Sequence, residues 1–212
     1  MKNLIFLFIS SLIALSSVAQ DDVKAKAILD KLSAKTKKYT SIKTTFDYQI
    51  VNKAEGLNEK QAGSLQIKGE KYYLSIKGQD VFSDGKSIYT LLKDAEEVQI
   101  NSIPDENEED VISPNTIFTL YEKGFKYKYV KEENGNDIIN LYPNNPQDKS
   151  FHRVEVQINK TKGEIYKVTV FGKDGTDMSY IIKTFTPNIA ITDDTFVYSK
   201  AKYPKYDVID LR

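Results

Sequence analysis

Val81-Phe82-Ser83-Asp84-Gly85-Lys86-Ser87-Ile88-Tyr89 is the stretch that decides the fold class. Apolar residues flank an Asp-Gly pair, which supplies the unusual backbone of a tight hairpin turn, so the segment predicts strand, turn, strand. Period-two patterning extends on both sides of it. Leu65 and Ile67 alternate with polar neighbours in Ser64–Lys68, and Tyr72, Leu74 and Ile76 do so in Lys71–Lys77, with Gly69-Glu70 as a turn between them. Further upstream, Phe46, Tyr48 and Ile50 share one face, opposite Thr45, Asp47 and Gln49. The segment from Asn52 to Ala62 is polar and holds Gly56, which predicts a loop. Downstream, Ile88–Leu92 and Glu97–Ile103 are strands by pattern.

The second half repeats this theme. Lys126–Lys131, Ile138–Tyr142, Phe151–Ile158, Glu164–Phe171 and Met178–Thr184 read as strands, separated by Gly135, Gly163 and an Asp174-Gly175 turn. Two segments break the period. From Asp22 to Tyr39, Ala25, Ile28, Leu29 and Leu32 recur at helical spacing with lysines opposite, and Asp21 or Asp22 can cap the start. Ser113-Pro114 opens a second, shorter helix carrying Ile117, Phe118, Leu120 and Tyr121, with Gly124 positioned to close it. These elements predict one α+β domain: a strongly curved antiparallel sheet, an unclosed barrel, with an N-terminal helix and a short inner helix covering an apolar cavity.

Composition narrows the function. Lys2, the apolar run Leu4 to Leu15 and the small-x-small site Ser17-Val18-Ala19 predict a signal peptide over residues 1–19 and an exported mature domain over 20–212. With no cysteine, thiol chemistry, thiolate metal sites and disulfides are excluded. The chain carries 30 basic and 30 acidic residues, so its net charge gives no pull toward nucleic acid or an anionic membrane. Nothing beyond the leader predicts a membrane span, and a monomer is expected.

No catalytic set can be read. His152 is the single histidine, in Phe151-His152-Arg153, without a nucleophile motif or orienting partner, and is expected to face outward. Asp105 to Asp110 lacks the alternating ligands and central glycine of a calcium loop and is expected to be solvated. Lys35, Lys37 and Lys38 form the wet face of the first helix, and Lys200, Lys202 and Lys205 solubilise the tail. No enzyme activity, cofactor or metal is expected. The candidate binding residues are Phe46, Tyr48, Leu65, Ile67, Leu74, Ile76, Ile88 and Leu92 on the strands, with Ile117, Phe118 and Leu120 on the short helix. Alternation of this kind equally describes an ordinary packed core.

The order of segments resembles that of a known family. Tyr39-Thr40-Ser41-Ile42-Lys43-Thr44-Thr45-Phe46 with Gln49, Gly63-Ser64-Leu65-Gln66-Ile67-Lys68, Ser83-Asp84-Gly85-Lys86-Ser87-Ile88-Tyr89, Ser113-Pro114, and Phe196-Val197-Tyr198 followed by Pro204 and Asp207-Val208-Ile209-Asp210 look like LolA, the periplasmic carrier of outer-membrane lipoproteins. The resemblance implies an unclosed sheet whose apolar interior shelters the acyl chains of a lipoprotein. It also implies an inner-membrane donor complex and an outer-membrane acceptor as partners. A lipid-binding sensor built on the same cavity and a purely structural sheet domain are the rivals. One departure stands out: Lys68-Gly69-Glu70-Lys71 occupies the place where family members carry an arginine that controls closure of the cavity, which brings a lipid cargo into view beside a lipoprotein.

Overall fold

Residues 22–103, 114, 116–122 and 124–212 are described by the structure, a computed structural model. The predicted signal peptide, the Asp21 cap, the acidic loop 105–110 and the Ser113 cap lie outside the described residues. Helix α1 spans residues 22–36 and is followed by twelve strands, β1 Ile42–Asn52, β2 Leu57–Lys68, β3 Lys71–Ile76, β4 Gln79–Ser83, β5 Ser87–Leu92, β6 Glu97–Ser102, β7 Phe125–Glu133, β8 Asn136–Pro143, β9 Phe151–Asn159, β10 Glu164–Gly172, β11 Thr176–Pro187 and β12 Asp207–Asp210. They form one sheet in the order β12-β6-β5-β4-β3-β2-β1-β11-β10-β9-β8-β7, whose two edges do not pair with each other. Among the described residues, no helix is long and apolar enough to cross a membrane.

The hairpin predicted at Val81–Tyr89 is β4–β5, with Ser83 opposite Ile88. Its turn is longer than a two-residue loop because the Asp84 carboxylate accepts the backbone N–H groups of Lys86 and Ser87, at 2.8 and 2.9 Å. Gly85 takes the positive φ of 87° that this Asx turn requires. The expected loop at Asn52–Ala62 is corrected to a long hairpin: β1 continues to Asn52 and β2 starts at Leu57. Here pairing overrides composition. β1 is flanked along its whole length by β2 and β11, so its ladder carries polar residues that have no apolar face of their own. Buried Asn52 fastens the hairpin end, accepting from the N–H groups of Ala54 and Glu55 and donating to Thr176 Oγ1.

The sheet bends at bulges. Thr45 faces Thr184 and Phe46 faces Ile182, which leaves Lys183 as the extra residue of β11. Threonine side chains repair the disrupted ladder, with Thr184 Oγ1 accepting the Thr45 N–H at 3.1 Å and Thr44 Oγ1 donating to the Thr184 carbonyl at 2.7 Å. Further bulges interrupt β9–β10 and β7–β8.

Each face of the sheet has its own cover. On the inner face, Ala25, Leu29 and Leu32 of α1 enter a core with Ile139, Leu141, Val154, Val156, Ile158, Ile165 and Val168. Between β6, next to one edge, and β7, at the other, the described residues 116–122 join that core through Phe118 and Tyr121. The predicted short helix takes the form of turns at residues 116–119 and one 3-10 turn, Leu120–Glu122, with Gly124 at a φ of 79° closing it. Tyr121 donates to Asp30 on α1 at 3.0 Å, and burial together with that carboxylate pushes its phenol up to about 12.

On the outer face, residues 188–206 run from the centre of the sheet back toward β6. Within it Phe196 is buried and Tyr198, Tyr203 and Tyr206 are half-buried, while Lys200, Lys202 and Lys205 are exposed as expected. Phe82, Leu91, Val98 and Ile100 make a second core, closed by Tyr73, Tyr89, Tyr198, Tyr203 and Tyr206. The chain then ends in β12, which pairs parallel with β6, an exception in a sheet otherwise antiparallel. Lys68 and Lys71 anchor this strap, both bonding the Asp193 carboxylate at 2.8 and 2.9 Å, while Lys68 also donates to the Ile191 carbonyl.

The two lysines hold Asp193 well below its ordinary value of 3.8, at about 2. A carboxyl lowered by folding contributes stability above its unfolded pKa and loses it as the pH falls through the folded one. Asp193→Asn is therefore expected to flatten the pH dependence of stability between about pH 4 and pH 2. Urea midpoints of both proteins measured across that range check this; parallel curves would show that the pair contributes nothing.

Candidate functional site

The strand register determines where the candidate binding residues point. Ile42, Ile67, Tyr72, Ser83 and Ile88 lie opposite one another in a row across β1 to β5, and Thr44, Leu65, Leu74, Val81 and Thr90 make the next row. Phe46 faces Gly63, and Ile76 faces Gln79, which in turn faces Leu92. Tyr48 continues the Phe46 side of β1. All eight strand candidates therefore share the inner face, the one that α1 covers farther along the sheet.

Burial then separates them. Ile67 and Phe46 are buried, whereas Tyr48, Leu65, Leu74, Ile76, Ile88 and Leu92 stay half-buried. Ile117 and Leu120, beside the 3-10 turn, are also half-buried, while Phe118 is buried and meets Phe185 of β11 edge-on, with ring centroids 6.4 Å apart. The contrast along this one face is sharp. Under α1, Ile139, Leu141, Val154, Val156 and Ile158 are at most 2% exposed. Toward β1–β5 the cover given by the described residues is uneven: Ile42, Phe46, Ile67, Tyr72 and Val81 are buried, and the six half-buried candidates lie among them.

Two depressions among the described residues lie away from most of these side chains. One sits between α1 and the β9–β10 turn; the other is a shallow hollow at Ala62, Gly63, Ser64, Ser75, Ile76 and Lys77, which contains a single candidate, Ile76. What the described residues form over β1–β5 is an apolar floor.

At the edge of this floor, sequence reasoning missed a set of aromatic contacts. Tyr48 stacks on Tyr180 at 5.0 Å, and Phe46 meets the same ring edge-on at 5.8 Å. Burial, with the neighbouring Tyr48, drives the Tyr180 phenol well above its ordinary range, so it stays protonated. Tyr180 follows Met178 in a run already read as a strand, and the pairing of that run with β1 is invisible in local patterning. His152 faces outward as its sequence context predicts, its ring 6.2 Å from that of Phe171. Among the described residues no cluster of three or more histidine, aspartate or glutamate side chains is placed to hold a metal. Lys68 and Lys71, at the place of the family's arginine, face the outer surface and are committed to Asp193.

Gly63 is where the floor is most tightly specified. A Cβ there would lie 2.5 Å from Cε2 and Cζ of Phe46, so only glycine lets that ring lie flat across the strand. Gly63→Ala is expected to cost about 1–3 kcal/mol through displacement of the ring. Adding Phe46→Leu should return part of that loss. Urea denaturation of the two single variants and the double variant measures the coupling, and strict additivity would show that ring and glycine do not interact.

Comparison with known proteins supplies the family. No curated protein matches the chain. Among solved structures, an uncharacterized conserved protein from Thermus thermophilus shares the fold, with a TM-score of 0.54 at 13% identity over 87% of this chain and 98% of that one. A LolA superfamily protein from Nitrosomonas europaea (TM-score 0.45, 10% identity, 82% of this chain and 97% of that one) and the Mycobacterium tuberculosis lipoprotein LppX (TM-score 0.42, 13% identity, 80% and 99%) are weaker likenesses. The model of the family described as outer membrane lipoprotein carrier protein LolA matches residues 37–199, and the chain belongs to that family.

Proposed function

We propose that this protein is a periplasmic carrier that shelters the acyl chains of lipoproteins on the apolar inner face of β1–β5 and moves them toward the outer membrane. The carrying observation is the incomplete cover of that face. Leu65, Leu74, Ile76, Ile88 and Leu92 are apolar, share one surface and remain half-buried while the continuation of the surface beneath α1 is sealed. A floor of this kind gains stability when a hydrocarbon chain completes its cover.

The energetics fit the task. At about 0.8 kcal/mol per CH₂, a sixteen-carbon chain kept out of water is worth roughly 12 kcal/mol, so acylated cargo does not cross an aqueous gap unaided. An open sheet with a partly covered face holds such a chain without sealing it in. On this reading residues 1–19 are the leader, the mature domain works as a monomer, and no reaction is catalysed. Cargo arrives from a donor complex at the inner membrane and leaves to an acceptor at the outer membrane. The tethering of Lys68 and Lys71 to the strap supports a cavity that is not gated by a cation at this site.

Native mass spectrometry of the protein recovered from a periplasmic extract without detergent, with lipid extraction alongside, tests the proposal. Acylated polypeptide at a defined stoichiometry is the expected result, and phospholipid or glycolipid in its place would redirect the function to lipid trafficking or sensing. With a triacylated lipopeptide as probe, Leu74→Gln combined with Ile88→Gln should weaken binding about tenfold or more. Failure of the unaltered protein to bind the lipopeptide would overturn the carrier reading.

A further inference from the structure

We propose a second binding site, for the phosphate-bearing headgroups of an anionic phospholipid surface, in the groove between α1 and the β9–β10 turn. The groove measures about 340 Å³ and is lined by Lys31, Ala34, Lys35, Lys38, Lys160, Thr161, Lys162 and Gly163. Five of these eight side chains are cationic, in a chain whose overall charge is zero. The fold builds the cluster from two sources. Lys31 and Lys35 lie one turn apart on α1, Lys38 follows in the turn just past its end, and Lys160 and Lys162 come from a turn more than 120 positions further along the chain. Lys35 ties the two together, donating to the Lys162 carbonyl and to Glu164 Oε1 at 3.0 Å.

Charge pairing marks this groove out from the rest of the helix. Elsewhere on α1, Lys26 is paired with Asp30 and Lys24 lies over the Tyr129 ring, and just past its end Lys37 is paired with Glu122. Within the groove Glu164 answers Lys35 and Glu132 answers Lys160. Lys31, Lys38 and Lys162 are exposed and have no carboxylate within ion-pair distance among the described residues. Three compact, strongly hydrated point charges around the groove, two from the helix side and one from the turn, complement the phosphodiesters of a lipid surface, which present many anions in a plane. The site is separate from the floor over β1–β5 and does not depend on cargo being carried there.

Co-sedimentation of the full chain with vesicles is the test, comparing phosphatidylcholine alone with a phosphatidylcholine–phosphatidylglycerol mixture at low ionic strength. Preferential binding to the anionic vesicles, weakened by salt, is expected. The triple variant Lys31→Gln, Lys38→Gln, Lys162→Gln should lose that preference by roughly a hundredfold, about fivefold per lysine. The matching triple arginine variant should retain it, and Lys126→Gln with Lys128→Gln on the edge strand β7 should leave it nearly unchanged. Equal binding to both vesicle types, or a glutamine triple that binds as well as the parent, would overturn the site. Direct binding of inorganic phosphate at millimolar concentration, lost in the glutamine triple, in the absence of vesicle binding would reassign it to a free anion. Uptake of acyl chains through the inner face would appear with both vesicle types, so failure of the carrier reading is distinguishable from failure of this one.

Discussion

The pairing of β1 with β11 is the constraint on which the rest of the molecule depends. Every other neighbouring pair of strands from β2 to β6, and from β7 to β11, is joined through a turn or a short connection. The β1–β11 ladder instead brings Ile42–Asn52 against Thr176–Pro187. Without it the sheet would fall into two blocks, β12-β6-β5-β4-β3-β2-β1 and β11-β10-β9-β8-β7. The bulge at Lys183 sits on this seam, and so do the Phe46, Tyr48 and Tyr180 rings. Curvature and the edge of the apolar floor are thus set at the same place.

A single sheet this wide has two faces to protect, and the chain covers them unequally. The half carrying β7–β11 takes α1 on its inner side, and the half carrying β1–β6 takes the tyrosine-rich strap on its outer side. Among the described residues, what remains is the inner side of β1–β5, where Leu65, Leu74, Ile76, Ile88 and Leu92 stay half-buried beside the buried Ile42, Phe46, Ile67, Tyr72 and Val81. One helix of residues 22–36 cannot span the sheet.

Much of this was legible in the residues themselves. Alternation placed Phe46, Tyr48, Leu65, Ile67, Leu74, Ile76, Ile88 and Leu92 on one face because a strand fixes side-chain direction at every second residue. Whether that face is packed or available was not legible, because burial depends on what lies above it. The hairpin end from Leu57 to Ala62 was missed because its ladder is held by neighbours rather than by its own apolar pattern. Tyr198, Tyr203 and Tyr206 stand among lysines with no strand or helix periodicity, yet they close a core around Phe82 and Leu91. Lys160 and Lys162 gave no local sign of meeting α1.

The strap has a consequence for the order in which the chain can acquire its shape. Strands β2 to β6 are joined by short turns, but Phe82, Leu91, Val98 and Ile100 have no cover on the outer face until Tyr198, Tyr203 and Tyr206 arrive. The outer edge of β6 is likewise unpaired until Asp207–Asp210 is in place. During synthesis the amino-terminal half therefore displays both an apolar patch and a free strand edge, features that promote association between chains. No disulfide is available to hold a partial structure in the meantime. Asp207–Asp210 thus completes a block whose other strands lie more than a hundred positions earlier in the chain, and the block reaches its final form as a whole rather than by instalments.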